Sequence, residues 1–128
     1  MRYMTEDAAR HGRESLLLRG TLDMCVLALL RTPNHAYGVV QQLKAAGFTQ
    51  TSYGTVYPLV SRVRQQGLVS QESLPGDGGP SKNVLTLTKA GHEALANWKT
   101  QWDDHHRRVS ELLAQQEPQV THERTAHV

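Results

Sequence analysis

Between Leu74 and Val84 the chain reads PGDGGPSKN, nine residues with three glycines and two prolines. Neither a helix nor a paired strand continues through such a stretch, because proline lacks the amide donor and glycine costs backbone entropy. The runs on either side, LVSQESL from Leu68 and VLTLT from Val84, are short and rich in Val, Leu, Ser and Thr. Together they predict an antiparallel hairpin with a long flexible tip. The rest of the patterned sequence is helical, so the chain folds as mainly α with a small β-hairpin.

The helical segments follow from apolar spacing. Leu18, Leu22, Cys25, Val26, Leu29 and Leu30 recur at three and four residues, predicting a helix within 15–30 that ends at Thr32-Pro33-Asn34. Gly20 lies inside that stretch at about 1 kcal/mol; alternatively Thr21 caps a helix that starts there. A second helix spans about 36–46, with Val39, Val40 and Leu43 inward and Gly47 as its stop. Ser52 is the expected cap of a third helix, about 53–66, which ends at Gly67 and buries Val56, Leu59, Val60 and Val63. Thr88 caps a last helix whose seam is Ala94, Leu95, Trp98, Trp102, His105, Val109, Leu112 and Gln116. A seam that long exceeds what one small core can cover and calls for helix–helix association with a second copy of the chain. The expected organisation is a flexible lead-in (1–14), a winged unit (15–87), a dimerisation helix (88–116) and a disordered tail (117–128).

With 128 residues the chain has the length of one domain. Its single cysteine excludes a disulfide framework and a cysteine-rich zinc site, and fits a reducing, cytoplasmic setting. The first residues lack the apolar core of a secretory signal, and no apolar run approaches the roughly 18 residues of a membrane span. Net charge is +2, unevenly spread: residues 20–90 carry six basic and three acidic side chains, residues 91–128 four and six. A basic middle and an acidic end suit a module that meets a polyanion with one part. No phosphate-binding loop, nucleophile elbow or His-Glu pair at zinc spacing is present, so no enzyme and no cofactor are expected. His105 and His106 are adjacent and so point apart on a helix, which removes them as joint metal ligands. Cys25, on an apolar face, is an inert buried thiol or a redox sensor.

Three helices followed by a two-stranded wing is the winged helix-turn-helix plan, here followed by a long C-terminal helix. Three stretches sharpen it: HAYGVVQQL from His35, SYGTVYPLVSRVRQQGLV from Ser52 and VLTLTKAG from Val84. In this order and spacing the chain resembles the PadR family of bacterial transcriptional regulators, over about 16–113. The resemblance implies a homodimer on a palindromic double-stranded DNA operator, usually a repressor, which in many members a small ligand releases. The single C-terminal helix resembles the smaller architecture of that family, where it serves dimerisation. Two other readings share the fold: a winged helix that binds another protein with the same surface, and a DNA-binding regulator indifferent to any ligand.

If the apolar side of the third helix faces the core, about 100° per residue turns Gly54, Pro58, Ser61 and Gln65 outward, with Tyr57 and Arg62 on the flanks. A recognition helix enters the major groove by its N-terminal half. The DNA-binding candidates are therefore Ser52, Tyr53, Gly54, Thr55, Tyr57, Pro58, Ser61 and Arg62. Thr55 and Tyr57 hydroxyls suit phosphate oxygens. Pro58 either distorts the helix where it meets DNA, opposite an adaptable Gly54, or begins the helix. Tyr37 serves phosphate contact or packing; Arg62, Arg64 and Lys44 serve phosphate contact or plain solvation. Lys82 is the one cation between Gly67 and Thr88. Members of the family often carry several basic and aromatic residues there, so a shallow salt dependence is expected.

On the last helix, Trp98 and Trp102 are either dimer core or the floor for a planar ligand stacked at the dimer centre, walled by Leu18, Leu22 and Val109. By its distance from Gly91, Trp102 matches the tryptophan that ligand-binding members carry. Asp103 and Asp104 would favour a cationic compound, so an aromatic or cationic small molecule is the expected class of effector.

Overall fold

The computed structural model describes residues 2–76, 78, 79 and 82–115. Along the chain run α1 (Arg2–Arg19), α2 (Leu22–Leu29), α3 (Ala36–Ala45), α4 (Tyr53–Gln65), β1 (Val69–Leu74), β2 (Lys82–Leu87) and α5 (Lys89–Ala114). Two compact units divide it at 95/96. The architecture is mainly α with a two-stranded antiparallel hairpin and a long C-terminal helix.

In the first unit, α2, α3 and α4 bury Leu22, Val26, Leu27, Leu30, Val39, Val40, Leu43, Val56, Leu59, Val60 and Val63, and the hairpin adds Val69, Leu85 and Leu87. Removing each such side chain from water contributes about 1.5–3 kcal/mol. In α3 and α4 the spacing that predicted the helices fills this core; in the α2 region it does so at Leu22, Val26 and Leu30, while Leu18, Cys25 and Leu29 are only half-buried and Leu27, outside the expected stripe, is fully buried. Both expected glycine stops are present. Gly47 and Gly67 adopt φ of 108° and 81°, and the amides one residue on, Phe48 and Leu68, donate to the carbonyls of Leu43 and Val63 at 3.0 and 2.9 Å. Those are Schellman closures, which need a left-handed residue.

The hairpin pairs Val69 with Leu87 through Leu74 with Lys82. Its second strand starts at Lys82, two residues before the expected apolar run. Residues 77, 80 and 81, on which the flexible tip was expected, lie outside the described residues, as does the tail 117–128. A second edge holds the wing. Asn34 and Leu85 exchange backbone hydrogen bonds at 3.1 and 2.7 Å, and the Leu87 amide donates to Leu30 at 3.1 Å. The loop after α2 therefore orients the hairpin against the helices.

Two expectations are corrected at the N-terminus. Residues of the supposed lead-in (1–14) are helical from Arg2 onward. Exposed throughout 6–14, that helix rests on good helix formers and an Arg10–Glu14 pair at 3.9 Å rather than on an apolar stripe. The continuous helix through Gly20 is broken instead: α1 ends at Arg19, and α2 begins after Thr21. Thr21 stands at the cap position but makes no cap bond; its hydroxyl donates backward to the Leu17 carbonyl at 3.1 Å.

Thr88 joins α4, the wing and α5. Its hydroxyl donates to the Gly67 carbonyl at 2.7 Å and accepts from the Gly91 amide at 3.0 Å, while its own amide donates to Leu68 at 3.0 Å. Gly91 is buried, and a Cβ there would collide with the Leu68 carbonyl and the Leu87 side chain.

Candidate nucleic-acid interface

Ser52 is extended (φ −136°, ψ 162°) and its Oγ accepts from the Thr55 amide at 3.2 Å, so it starts α4 as expected. The same oxygen lies 3.1 Å from the Thr55 hydroxyl. Both hydroxyls are therefore tied into the cap at the exposed end of the helix. From there α4 runs unbroken through Pro58, which overturns the alternative that the helix begins at that proline. Since Pro58 has no amide hydrogen, the Gly54 carbonyl lacks its usual donor one turn on. Gly54 is exposed, where water can take that role.

The core-facing side of α4 is almost fully covered; its opposite side is open. Gly54, Thr55, Pro58, Arg62 and Arg64 are exposed and Ser61 is half-buried. Tyr53 and Tyr57, one turn apart, stack with ring centroids 5.2 Å apart and planes at 21°. They retain 46% and 47% of their exposure, and Tyr37 at the start of α3 retains 57%. Three tyrosines so open to water are not core residues.

A notch of about 300 Å³ brings these rings together with the wing. Tyr37, Tyr53, Tyr57 and Lys82 line it, with Val60 and Leu85 at its base. Four residues singled out in the sequence from three separate elements thus share one concavity. Ser52, Gly54, Thr55, Pro58, Ser61 and Arg62 are not among its lining residues and belong to the outer side of α4. Sequence reasoning missed His35, Gln71 and Asn83, which also line the notch. Gln71 and Asn83 carry no pattern beyond strand alternation. His35 could have been found as the residue preceding the second helix, although histidine is not a usual cap.

The described part of the second unit, residues 96–115, is one length of α5 followed by Gln115. Trp98 is half-buried and Trp102 38% exposed. His106 stacks on Trp102, centroids 4.7 Å apart and planes at 14°. Asp103 pairs with Lys99 at 2.8 Å and Asp104 with Arg107 at 3.2 Å. Each acid already faces a cation of its own helix, which cancels much of the field a cationic effector would have felt. Val109 is exposed; Leu18, in the first unit, is half-buried. Leu22 is 4% exposed and packs in the core, so it offers a ligand no surface. Among the described residues no group of three His, Cys, Asp or Glu side chains is placed to hold a metal, and no helix is long and apolar enough to cross a membrane. Half-buried Cys25 has its thiol pushed up by burial and by the nearby Asp23 charge, partly offset by a hydrogen bond with Thr21. That disfavours the reactive thiolate.

Residues 26–97 match the family described as the transcriptional regulator PadR-like family. No curated protein matches the sequence. Among solved structures, a PadR family transcriptional regulator from Eggerthella lenta is 31% identical, with a TM-score of 0.81 over 88% of this chain and 99% of that one. A PadR-like transcriptional regulator from Bacillus cereus is 27% identical, with a TM-score of 0.72 over 79% of this chain and 99% of that one. Bacillus subtilis PadR, solved in complex with operator DNA, shares the fold at 22% identity, with a TM-score of 0.55 over 60% of this chain and 45% of that one. The matched segment runs from α2 through the wing into α5, and this chain belongs to the PadR-like family of transcriptional regulators, a family of regulators and not of enzymes.

Proposed function

We propose that this chain is a cytoplasmic, homodimeric repressor that binds a palindromic DNA operator, with α4 of each protomer in successive major grooves. The observation that carries this reading is the open side of α4 and its adjoining notch. Three exposed tyrosines and Lys82 gather around the N-terminal half of a helix whose opposite side is core. Tyr37, Tyr53 and Tyr57 hydroxyls suit phosphate oxygens on either side of the groove, and Arg62 and Lys82 add charge. The exposed backbone at Gly54, beside Ser52, Thr55, Pro58 and Ser61, allows close approach to base edges. Bacillus subtilis PadR, which shares the fold, was solved in complex with operator DNA.

Dimerisation falls to α5, whose Val109, Leu112 and Leu113 are exposed large apolar residues without an aqueous role. The effector is a planar aromatic compound that stacks on Trp102, with Trp98 one turn back on the same helix. The ion pairs of Asp103 and Asp104 favour a neutral compound over a cationic one.

Gel-shift titration with the DNA upstream of the chain's own gene tests the reading. Sequence-specific retention that weakens with salt is expected. No retention at low salt would point instead to a winged helix that binds protein.

A further inference from the structure

His35 precedes α3 in an extended conformation (φ −95°, ψ 164°), and its Nδ1 accepts the Gly38 amide at 3.1 Å. A cap of that kind uses the lone pair on Nδ1. The neutral ring must then carry its hydrogen on Nε2. Nε2–H has no hydrogen-bond partner among the described residues, and the ring lines the same notch as Tyr37, Tyr53, Tyr57 and Lys82. The remaining polar groups there are the amides of Gln71 and Asn83, and no lining residue is acidic. The notch is therefore rimmed by hydroxyls, amides, one ammonium and one imidazole N–H, all able to donate, with no negative charge to repel an anion.

We propose that His35 is a DNA-binding residue whose neutral imidazole donates Nε2–H to a backbone phosphate seated in this notch. One side chain then does two jobs: Nδ1 holds the first turn of α3, and Nε2–H grips the duplex. The His35 backbone amide donates to the side-chain Oδ1 of Asn34 at 2.8 Å, which holds the ring's own main chain in place. The inference rests on the DNA-binding reading above and refines it: a phosphate contact positions the protein and reads no sequence.

His35→Ser separates the two jobs, since serine caps a helix but offers no donor at the ring's far side. The variant is expected to melt within a few degrees of wild type and to bind operator roughly five- to a hundredfold more weakly, because each of the two protomers loses one hydrogen bond to a phosphate. The loss should be equal on unrelated DNA, and the salt slope should not change, because no charge is removed. Wild-type affinity in H35S would overturn the inference and leave His35 a cap alone. A salt slope reduced by about one per protomer would overturn it differently, making the ring a cation. Should H35S fail to fold, the imidazole ¹⁵N signals of the wild-type protein decide. Nε2 is expected to shift on saturation with operator, and an unmoved signal refutes the contact. Failure of wild type to bind any DNA would instead sink the broader reading.

Discussion

Gly91 is a position where one methyl group decides whether the unit closes. It lies where α5 passes over the α4–β1 turn, and any Cβ there meets the Leu68 main-chain oxygen as well as the Leu87 side chain. Gly91→Ala is expected to cost about 1–3 kcal/mol, the usual range for overpacking, measured by urea denaturation. Cys25 makes a different point. Its thiol is pushed up, so at pH 8 it is less ionised in the native chain than in the unfolded one. Alkylation by iodoacetamide should therefore be slower native than in urea. As pH climbs through the ordinary thiol range the unfolded chain ionises first, so stability declines there. A native thiol that reacts faster than the unfolded one would revive the redox-sensor reading.

At the scale of an element, α4 carries both core and candidate interface, and Pro58 sits between the two demands. It deletes a hydrogen bond on the exposed side without disturbing Val56, Leu59, Val60 or Val63. Pro58→Ala restores the donor for the Gly54 carbonyl and is expected to stabilise the protein by about 1 kcal/mol, since helix gain is partly offset by a freer unfolded chain. Calorimetry checks the sign; a lower melting temperature would mean that proline itself is packed productively. Ser52→Ala removes the cap of the same helix and should cost about 1 kcal/mol. The wing is the contrasting element. Its strands are legible as runs of β-type residues, but its attachment through Asn34 and Leu30 is not, because those partners lie far off in sequence.

For the whole molecule, the number of cations on the proposed surface limits how strongly salt can act. Arg62, Arg64 and Lys82 make three per protomer, so a dimer should show a log–log salt slope no steeper than about −5. A steeper slope by fluorescence anisotropy would mean that other basic residues reach the DNA. At the opposite end of the chain, Trp102→Ala tests what the seam of α5 does. Retained dimer with lost response to planar compounds is expected in sedimentation and fluorescence. Loss of the dimer would mean that the indole is dimer core and not a ligand floor.

What the amino-acid order determined alone was local and periodic. Apolar spacing marked α2 to α5, glycine marked the ends of α3 and α4, and Ser52 and Thr88 marked two beginnings, because capping and periodicity act within a few residues of chain. The helicity of residues 2–14 escaped that logic for the opposite reason, having propensity without an apolar stripe. Tertiary structure alone decided which candidates meet. Tyr37, Tyr53, Tyr57 and Lys82 converge on one notch and His35 joins them, whereas Leu22 is withdrawn into the core. Convergence of that kind depends on the non-local bridge between Asn34 and Leu85 and on how the helices pack, and neither leaves a periodic trace in the sequence.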